Sequence, residues 1–394
     1  MPDPSAAPLP VVAIAACGAV TAVGSGLDAL RSAIRANASG LRPSARFAHF
    51  QSDIVGSVPE DWWKKSGNAG TDDPAWHLAY EATRQAQDSA KEILSKIPAN
   101  RTGLILSTTK ANIEALERFS AGRPCSDQAR RHLQGDLLAH DLAIAFGARG
   151  PVQCVSVACV SGLVALQIGA KIIQRGSADA VVVVGVDHLS EFVLAGFTAL
   201  KALDPRGCRP FDAARAGLSP GEAGAAMILT RADLASGDAV RIRGWGGSND
   251  ANHLTGPSRD GSGLALAIRL ALDSSGLRAG DIDYVHAHGT GTPYNDAMES
   301  LALAAIFGNQ CPPVSGSKGM LGHTLGAAGV IESILCVLTL LDRLLPGTPG
   351  LKSPAEGAPS SLLYHSKSAT TLNHVLKLNT GFGGINGAVI FSHE

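Results

Sequence analysis

The stretch from Val152 to Gly176, VQCVSVACVSGLVALQIGAKIIQRG, changes its period in the middle. Val152, Cys154, Val155 and Val157 open it as a short buried strand. Past Ala158-Cys159, the residues Leu163, Leu166, Ile168, Ile172 and Ile173 recur at helical spacing, and Gly176 stands where a helix C-cap belongs. If the rest of the chain alternates in the same way, a buried strand that feeds directly into an apolar helix argues for a layered α/β architecture. Cys159 sits at the junction, near the positive end of a helix dipole, a position that favours a thiolate. A small buried cysteine that merely packs is the ordinary alternative, so partners elsewhere in the chain must decide between the two.

The rest of the chain alternates in the same way. Val11–Ala16 reads as a first buried strand, Leu27–Ile34 as a helix, and 36–73 as a loop anchored by Trp62-Trp63. Helix is expected over Pro74–Ile97, strand over Gly103–Ser107 and helix again over 126–146. Ala180–Gly185 is too apolar to be exposed on either face, and Gly224–Thr230 is a further strand. A polar stretch, Arg231–Asp238, separates two halves, 1–238 and 239–394. The second half carries a glycine-rich strand from Val240 to Ser248, a helix over Ser262–Ser275 and a strand over Tyr284–Ala287. Helices at Met298–Phe307 and Ala327–Leu341 follow, then a loop over 346–360 and closing strands near Val375–Leu378 and Ala388–Phe391. Each half has a long apolar helix with small residues at its start, suited to close approach. Layered sheets covered on both faces follow from this order.

Composition excludes several classes. With 33 Lys+Arg against 34 Asp+Glu, the chain offers no support for a nucleic-acid or membrane-surface role. Seven cysteines without metal-type spacing fit a reduced, cytoplasmic compartment better than a disulfide framework. The opening MPDPSAAPLP lacks a leader's basic segment and apolar run, and the apolar runs elsewhere are too short or too interrupted to span a bilayer.

Three stretches supply partners for Cys159. VHAHGTGTPYND (285–296) delivers His288 from a strand into a glycine–threonine turn. SGSKGMLGHTLGAAG (315–329) places Lys318 five residues before His323 at a helix start. NTGFGGING (379–387) sets Phe382 among glycines. A lone histidine at a strand end is more often structural, but two histidines, a lysine and a helix-start cysteine, all at glycine-rich strand ends, are harder to dismiss.

Together with AC-x-S-G-L and with RPFD followed by GEAGAA, these motifs resemble those of β-ketoacyl-acyl-carrier-protein synthases, the elongating condensing enzymes of Cys-His-His-Lys type. The resemblance covers nearly the whole chain. It implies a duplicated thiolase-like fold, five layers α-β-α-β-α with two mixed sheets, and acyltransferase activity in fatty acid or polyketide elongation. It implies Cys159 as the acyl acceptor, His288 and His323 as donors to the malonyl thioester carbonyl, and Lys318, paired with Glu332, orienting His323. The backbone N–H groups of Cys159 and Phe382 would form an oxyanion hole, with Phe382 as a gate. Thr290 and Thr292 would contact the phosphopantetheine arm, and Asp296 would support the histidine loop. No metal and no bound cofactor are implied, because substrates arrive on acyl carrier protein. Lys64, Lys65, Arg130, Arg131 and Arg206 are candidate docking positions for that acidic partner. A homodimer, or a heterodimer with a related ketosynthase-like subunit, is expected.

The neighbouring families fit less well. A thiolase would carry a second cysteine where Phe382 stands, and a Cys-His-Asn priming synthase would lack the lysine motif. A non-catalytic chain-length subunit shares the fold but lacks the nucleophile. Departures from the housekeeping pattern fall around the pocket: Thr380 where an aromatic is common, Val157 and Val160 beside the nucleophile, and Lys110 and Asn112 in a loop usually rich in glycine. These resemble condensing enzymes of specialised pathways, those making aryl polyenes included.

Overall fold

The computed structural model describes residues 10–50 and 52–394. Residues 1–9, most of the segment expected to carry no leader, lie outside the described residues.

The first half runs β1 (Val12–Thr21), α1 (Leu27–Ala36), α2 (Pro74–Ser89), β2 (Thr102–Ser107), α3 (Gly135–Ala145), β3 (Val152–Val155), α4 (Ser161–Gln174), β4 (Ala180–Asp187), α5 (Glu191–Ala199) and β5 (Ala223–Arg231). The second runs β6 (Arg241–Asn249), α6 (Ser262–Ser275), β7 (Tyr284–His286), α7 (Pro293–Phe307), β8 (Val314–Ser315), α8 (Ala328–Asp342), β9 (His374–Gly381) and β10 (Ile385–Ser392). The strand orders are β3-β2-β4-β5-β1 and β8-β7-β9-β10-β6. Counted within each half, both read third, second, fourth, fifth, first. In each, three neighbouring strands are parallel and the other two antiparallel. The two mixed sheets touch at one corner, where Val12 pairs with Ile242 and Ala13 with Arg241.

Helices α4 and α8 lie between the sheets, α2 and α3 cover the outer face of the first, and α6 and α7 lie outside the second. This is the duplicated five-layer arrangement. Period-2 alternation explains why β4 is an uninterrupted apolar run: Val181 and Val183 enter the central core, Val182 and Val184 the outer one. The apolar run with α8 at its centre, Leu325–Asp342, has a mean hydropathy of 1.8 but is 89% buried. It is a core helix surrounded by protein.

The central helices cross where both are glycine. A Cβ on Gly162 would stand 2.5 Å from Val330 N, and one on Gly329 would stand 2.4 Å from Leu163 N. That contact fixes the distance between the two halves just beyond Cys159 and His323.

Gly176 adopts φ 70° after α4, and Ser177 N–H returns to Ile172 O, the left-handed cap expected from the sequence. Four expectations need correction. The 126–146 helix is broken at His132–Gln134, because His132 turns inward to two carboxylates. The 74–97 helix stops at Ser89 and resumes only over Lys91–Leu94. Helix α7 begins at Pro293 rather than Met298, with proline in the first turn, where its missing N–H costs nothing. Segment 36–73 contains a small ladder, Arg42–Pro43 with Ile54–Val55, and a helix, Glu60–Lys65, that packs Trp62 against Trp63.

Candidate active site

Cys159 lies between β3 and α4, in a turn that its neighbours tighten. Ala158 is held at φ 50°, and Ser161 Oγ accepts from Val157 N–H at 2.8 Å and donates to Ala158 O at 2.6 Å. The helix begins two residues later, so the cysteine faces its N-terminal end. The expectation of a ready thiolate is corrected by burial. Desolvation pushes the Cys159 thiol up to about 12, and the pull of Lys318 is opposed by Glu332 and Asp187.

His323 follows Gly322 and is clamped by backbone on both sides: its N–H donates to Ser219 O at 2.7 Å, and its O accepts from Gly221 N–H at 2.9 Å. Its Nε2 stands 3.0 Å from Cys159 Sγ. Leu325 N–H donates to its Nδ1 at 3.2 Å, so Nδ1 is an acceptor and Nε2 bears the proton. The His288 ring lies 5.3 Å away, nearly perpendicular. Its Nδ1 faces Lys318 Nζ at 3.1 Å and Asn379 Nδ2 at 3.0 Å. An ammonium has no lone pair to offer, so His288 is also protonated at Nε2.

Both imidazoles are neutral. Burial, then Lys318, holds His323 at about 3 and His288 well below its ordinary value. Lys318 orients His288 directly, rather than His323 as the sequence suggested, and donates to Glu332 Oε1 at 2.7 Å. Burial would raise Glu332, but Lys318 and Lys377 outweigh it and hold the carboxyl at about 2.

Sγ of Cys159 and a ring nitrogen of each histidine lie within 4.8 Å of one another, a donor set that zinc also takes. The tautomers oppose such a ligand. Freeing either Nε2 lone pair would move the proton to Nδ1, against the Lys318 ammonium in one ring and the Leu325 N–H in the other.

The three side chains open on a cavity of about 490 Å³ that Thr290, Thr292, Thr380 and Phe382 also line. Thr290 and Thr292 hydroxyls lie 2.8 Å apart. Phe382 is 39% exposed, with its ring 6.2 Å from that of Phe197. Among the described residues, neither its N–H nor that of Cys159 donates to a protein acceptor. Thr380 gives its hydroxyl to Asn295 Oδ1 at 2.6 Å. Val160 is buried in the core against Gly381 and Gly387, behind the cavity wall. Asp296 accepts from Phe211 N–H at 2.7 Å and Gly291 N–H at 3.2 Å, bracing the loop after His288.

Lys110 pairs with the buried Asp187 at 3.1 Å, and Asn112 Nδ2 donates to Asp72 O and Ala129 O. Both are internal braces. The docking candidates are not brought together. Lys64 pairs with Glu60 beside a separate cleft that also includes Trp63, Lys65 is exposed, Arg130 pairs with Asp127, and Arg131 grips Asp141. Arg206 is exposed and caps Ala214 O, near the mouth residue Ala216.

Sequence reading missed Glu299, Lys377, Asn379, Asp187 and Lys201. Glu299 accepts from His288 N–H at 2.6 Å and Gly289 N–H at 2.9 Å, and burial raises it to about 7. Its spacing of three from Asp296 on the same helix was the available signal. Asp187 accepts from Thr109 N–H and from Gly326 N–H, tying the turn after His323 to the loop after β2. Lys201 lines the cavity mouth at φ 52°.

Comparison with known proteins agrees with this geometry. The profile "Beta-ketoacyl synthase, N-terminal domain" matches residues 10–235, and "Beta-ketoacyl synthase, C-terminal domain" matches 239–352. The chain belongs to the β-ketoacyl synthase family. It is 36% identical over 270 residues to 3-oxoacyl-[acyl-carrier-protein] synthase 2 of Vibrio harveyi, a match spanning 65% of each protein. It is 37% identical to a putative polyketide beta-ketoacyl synthase 1 of Streptomyces halstedii, over 80% of this chain and 81% of that one. The ishigamide ketosynthase/chain length factor superposes with a TM-score of 0.89 at 27% identity, covering 98% of this chain and all of that chain.

Proposed function

We propose that the protein is a β-ketoacyl-acyl-carrier-protein synthase. It would join a Cys159-bound acyl group to malonyl-acyl-carrier protein with loss of carbon dioxide, in fatty acid or polyketide elongation. The observation that carries this reading is the pair of Nε2–H donors, each fixed from behind, converging beside one thiol. A neutral donor pair suits an oxygen that gains negative charge during the reaction.

In the first half-reaction Cys159 sulfur attacks the acyl thioester carbonyl. The C–S bond to the carrier breaks, and the thiol proton leaves with the carrier sulfur. The N–H groups of Cys159 and Phe382, free of protein acceptors, are suited to the tetrahedral oxyanion. In the second, the C–C bond to the malonyl carboxylate breaks and carbon dioxide departs. The electron pair passes to the thioester oxygen held by His288 and His323. The enolate carbon then attacks the acyl-Cys159 carbonyl, the C–S bond to Cys159 breaks, and the leaving thiolate takes up one proton from solvent, the proton the overall condensation consumes. Thr290 and Thr292 line the way in and would receive the pantetheine arm. No resident metal or cofactor enters these steps.

A non-catalytic chain-length subunit is the alternative, and the complete Cys159, His288, Lys318 and His323 set speaks against it. The repeated strand order supports a division into halves near 238/239. Among the described residues strand β3 pairs only with β2 and exposes Gln153, leaving a sheet edge for a second copy or a ketosynthase-like partner. Seven free thiols accord with a cytoplasmic setting. The Cys159→Ala variant tests the nucleophile: intact mass after exposure to acyl-carrier thioesters should show the acyl increment on the native chain and none on the variant. Acylation of the variant would overturn the assignment.

A further inference from the structure

Glu332 holds two buried ammonium groups. Lys318 Nζ lies 2.7 Å from Oε1 and Lys377 Nζ 3.0 Å from Oε2, and both lysines are wholly buried. Lys377 comes from the middle of β9, between the core residues Leu376 and Leu378, and also reaches the carbonyl oxygens of His286, Ala287 and Leu378. Two residues on, Asn379 Nδ2 donates to Glu332 Oε2 at 3.3 Å and to His288 Nδ1 at 3.0 Å. Burial works to lower Lys377 and the Glu332 carboxylate opposes it; burial in turn raises Glu299, on the main-chain side of His288, to about 7. Glu332 alone bonds both ammoniums, and one carboxylate cannot balance two, so the cluster keeps a surplus positive charge directly behind the two imidazoles. A buried surplus charge opposes folding, and an apolar side chain of similar length would fill the same space without it.

We propose that Lys377 is a positioning residue of the condensing site, which trades stability for a surplus positive charge that favours the enolate oxygen at His288 and His323. The inference rests on the condensing-enzyme reading and names a residue outside its Cys-His-His-Lys set. When the malonyl C–C bond breaks, negative charge moves from the departing carboxylate to the thioester oxygen. Positive charge behind the two Nε2–H donors stabilises that new location. Acylation of Cys159 directs its transient charge to backbone N–H groups instead, so Lys377 acts more on decarboxylation than on acylation. The charged and titratable groups facing the imidazoles are Lys318, Glu332 on α8, Lys377 on β9, His286 on β7, Glu299 on α7, which accepts from the His288 N–H, and Cys159. Removing Lys377 takes away one of the cations that keep both rings neutral, so their titration moves to higher pH.

The test compares Lys377→Met and Lys377→Arg with the native protein in thermal melting, in acylation of Cys159 and in decarboxylation of a malonyl thioester across pH. Lys377→Met leaves Lys318 and Glu332 as a balanced pair. Its Tm should equal or exceed the native one, and its ratio of decarboxylation to acylation should fall roughly ten-fold. The acid limb of its decarboxylation profile should move to higher pH, and Lys377→Arg, which keeps the charge, should restore part of the ratio. An unchanged ratio and pH limb would overturn the proposal. So would a lower Tm with both half-reactions declining in parallel, the mark of a packing role. A native protein that acylates Cys159 but never decarboxylates malonyl thioester would instead overturn the condensing reading itself, and this inference with it.

Discussion

The Lys318 ammonium stands 3.1 Å from Nδ1 of His288 and thereby decides which nitrogen of that ring carries the proton. The same nitrogen meets Asn379 Nδ2, and the lysine also donates to the His288 carbonyl oxygen at 2.5 Å. Ring and main chain are held by one side chain, so the direction of the Nε2–H is built into the fold before any substrate arrives.

Loss of that ammonium should therefore look like loss of an oxyanion donor. Lys318→Met is expected to slow malonyl decarboxylation about 100- to 1000-fold, while Cys159 still takes up an acyl group. Nitrogen-detected NMR of the histidine rings should show His288 shifting toward a mixture of tautomers. Decarboxylation at the native rate would contradict the role.

The crossing of α4 and α8 leaves no room for a side chain. Gly162→Ala and Gly329→Ala should each destabilise the fold by about 1–3 kcal/mol, measured by denaturant unfolding. They should also lower decarboxylation more than the stability loss explains, because the crossing sets the spacing of Cys159 and His323. Full stability in both variants would show that the helices can move apart.

A pH-dependent contribution to stability comes from His132, which lies between Asp73 at 2.6 Å and Asp141 at 3.0 Å and stacks on Trp76. Burial works to lower it, but the two carboxylates prevail and raise it above its ordinary 6.5. Its folded-state pKa exceeds the unfolded one, so its contribution is full below about 6.5 and is lost as pH rises through the folded value. Asp141, held low by Arg131, sets the acid end, where its contribution fades as pH falls below its ordinary 3.8. The Tm deficit of His132→Gln should be largest near pH 5–6 and shrink above neutrality. A deficit that grows with pH would contradict this.

Much of this was legible in the residues. The change of period at Ala158-Cys159 located the turn that carries Cys159, and the small residues at the starts of α4 and α8 marked their close approach. The motifs around His288 and His323 singled out the two rings that the fold brings beside Cys159. What remained hidden came from contacts distant in sequence. Lys377 lies in an apolar strand, and only the fold brings it to Glu332, 45 positions away. Helix α5 was missed because EFVLAGFTA is apolar nearly all round and gives no helical period. The thiolate expectation failed because a dipole argument carries no measure of burial.

The cavity mouth suggests where an acidic carrier would meet positive charge. Lys201 lines it and Arg206 lies nearby, whereas Lys64 borders a separate cleft. Lys201→Glu should raise KM for carrier-bound substrates and weaken their salt dependence, and leave a small pantetheine thioester nearly unaffected. Charge reversal at Lys64 and Lys65 should do less. Equal losses with both kinds of substrate would point to damage within the site instead.

The most direct test of decarboxylative condensation follows carbon. Enzyme acylated on Cys159 is mixed with malonyl-carrier thioester labelled in its free carboxylate, and released label and carrier products are measured together. The account predicts equimolar labelled carbon dioxide and a 3-oxoacyl-carrier product two carbons longer than the primer, with Cys159 returned to the free thiol. Label retained in the product, or carbon dioxide released while the acyl group stays on Cys159, would contradict it.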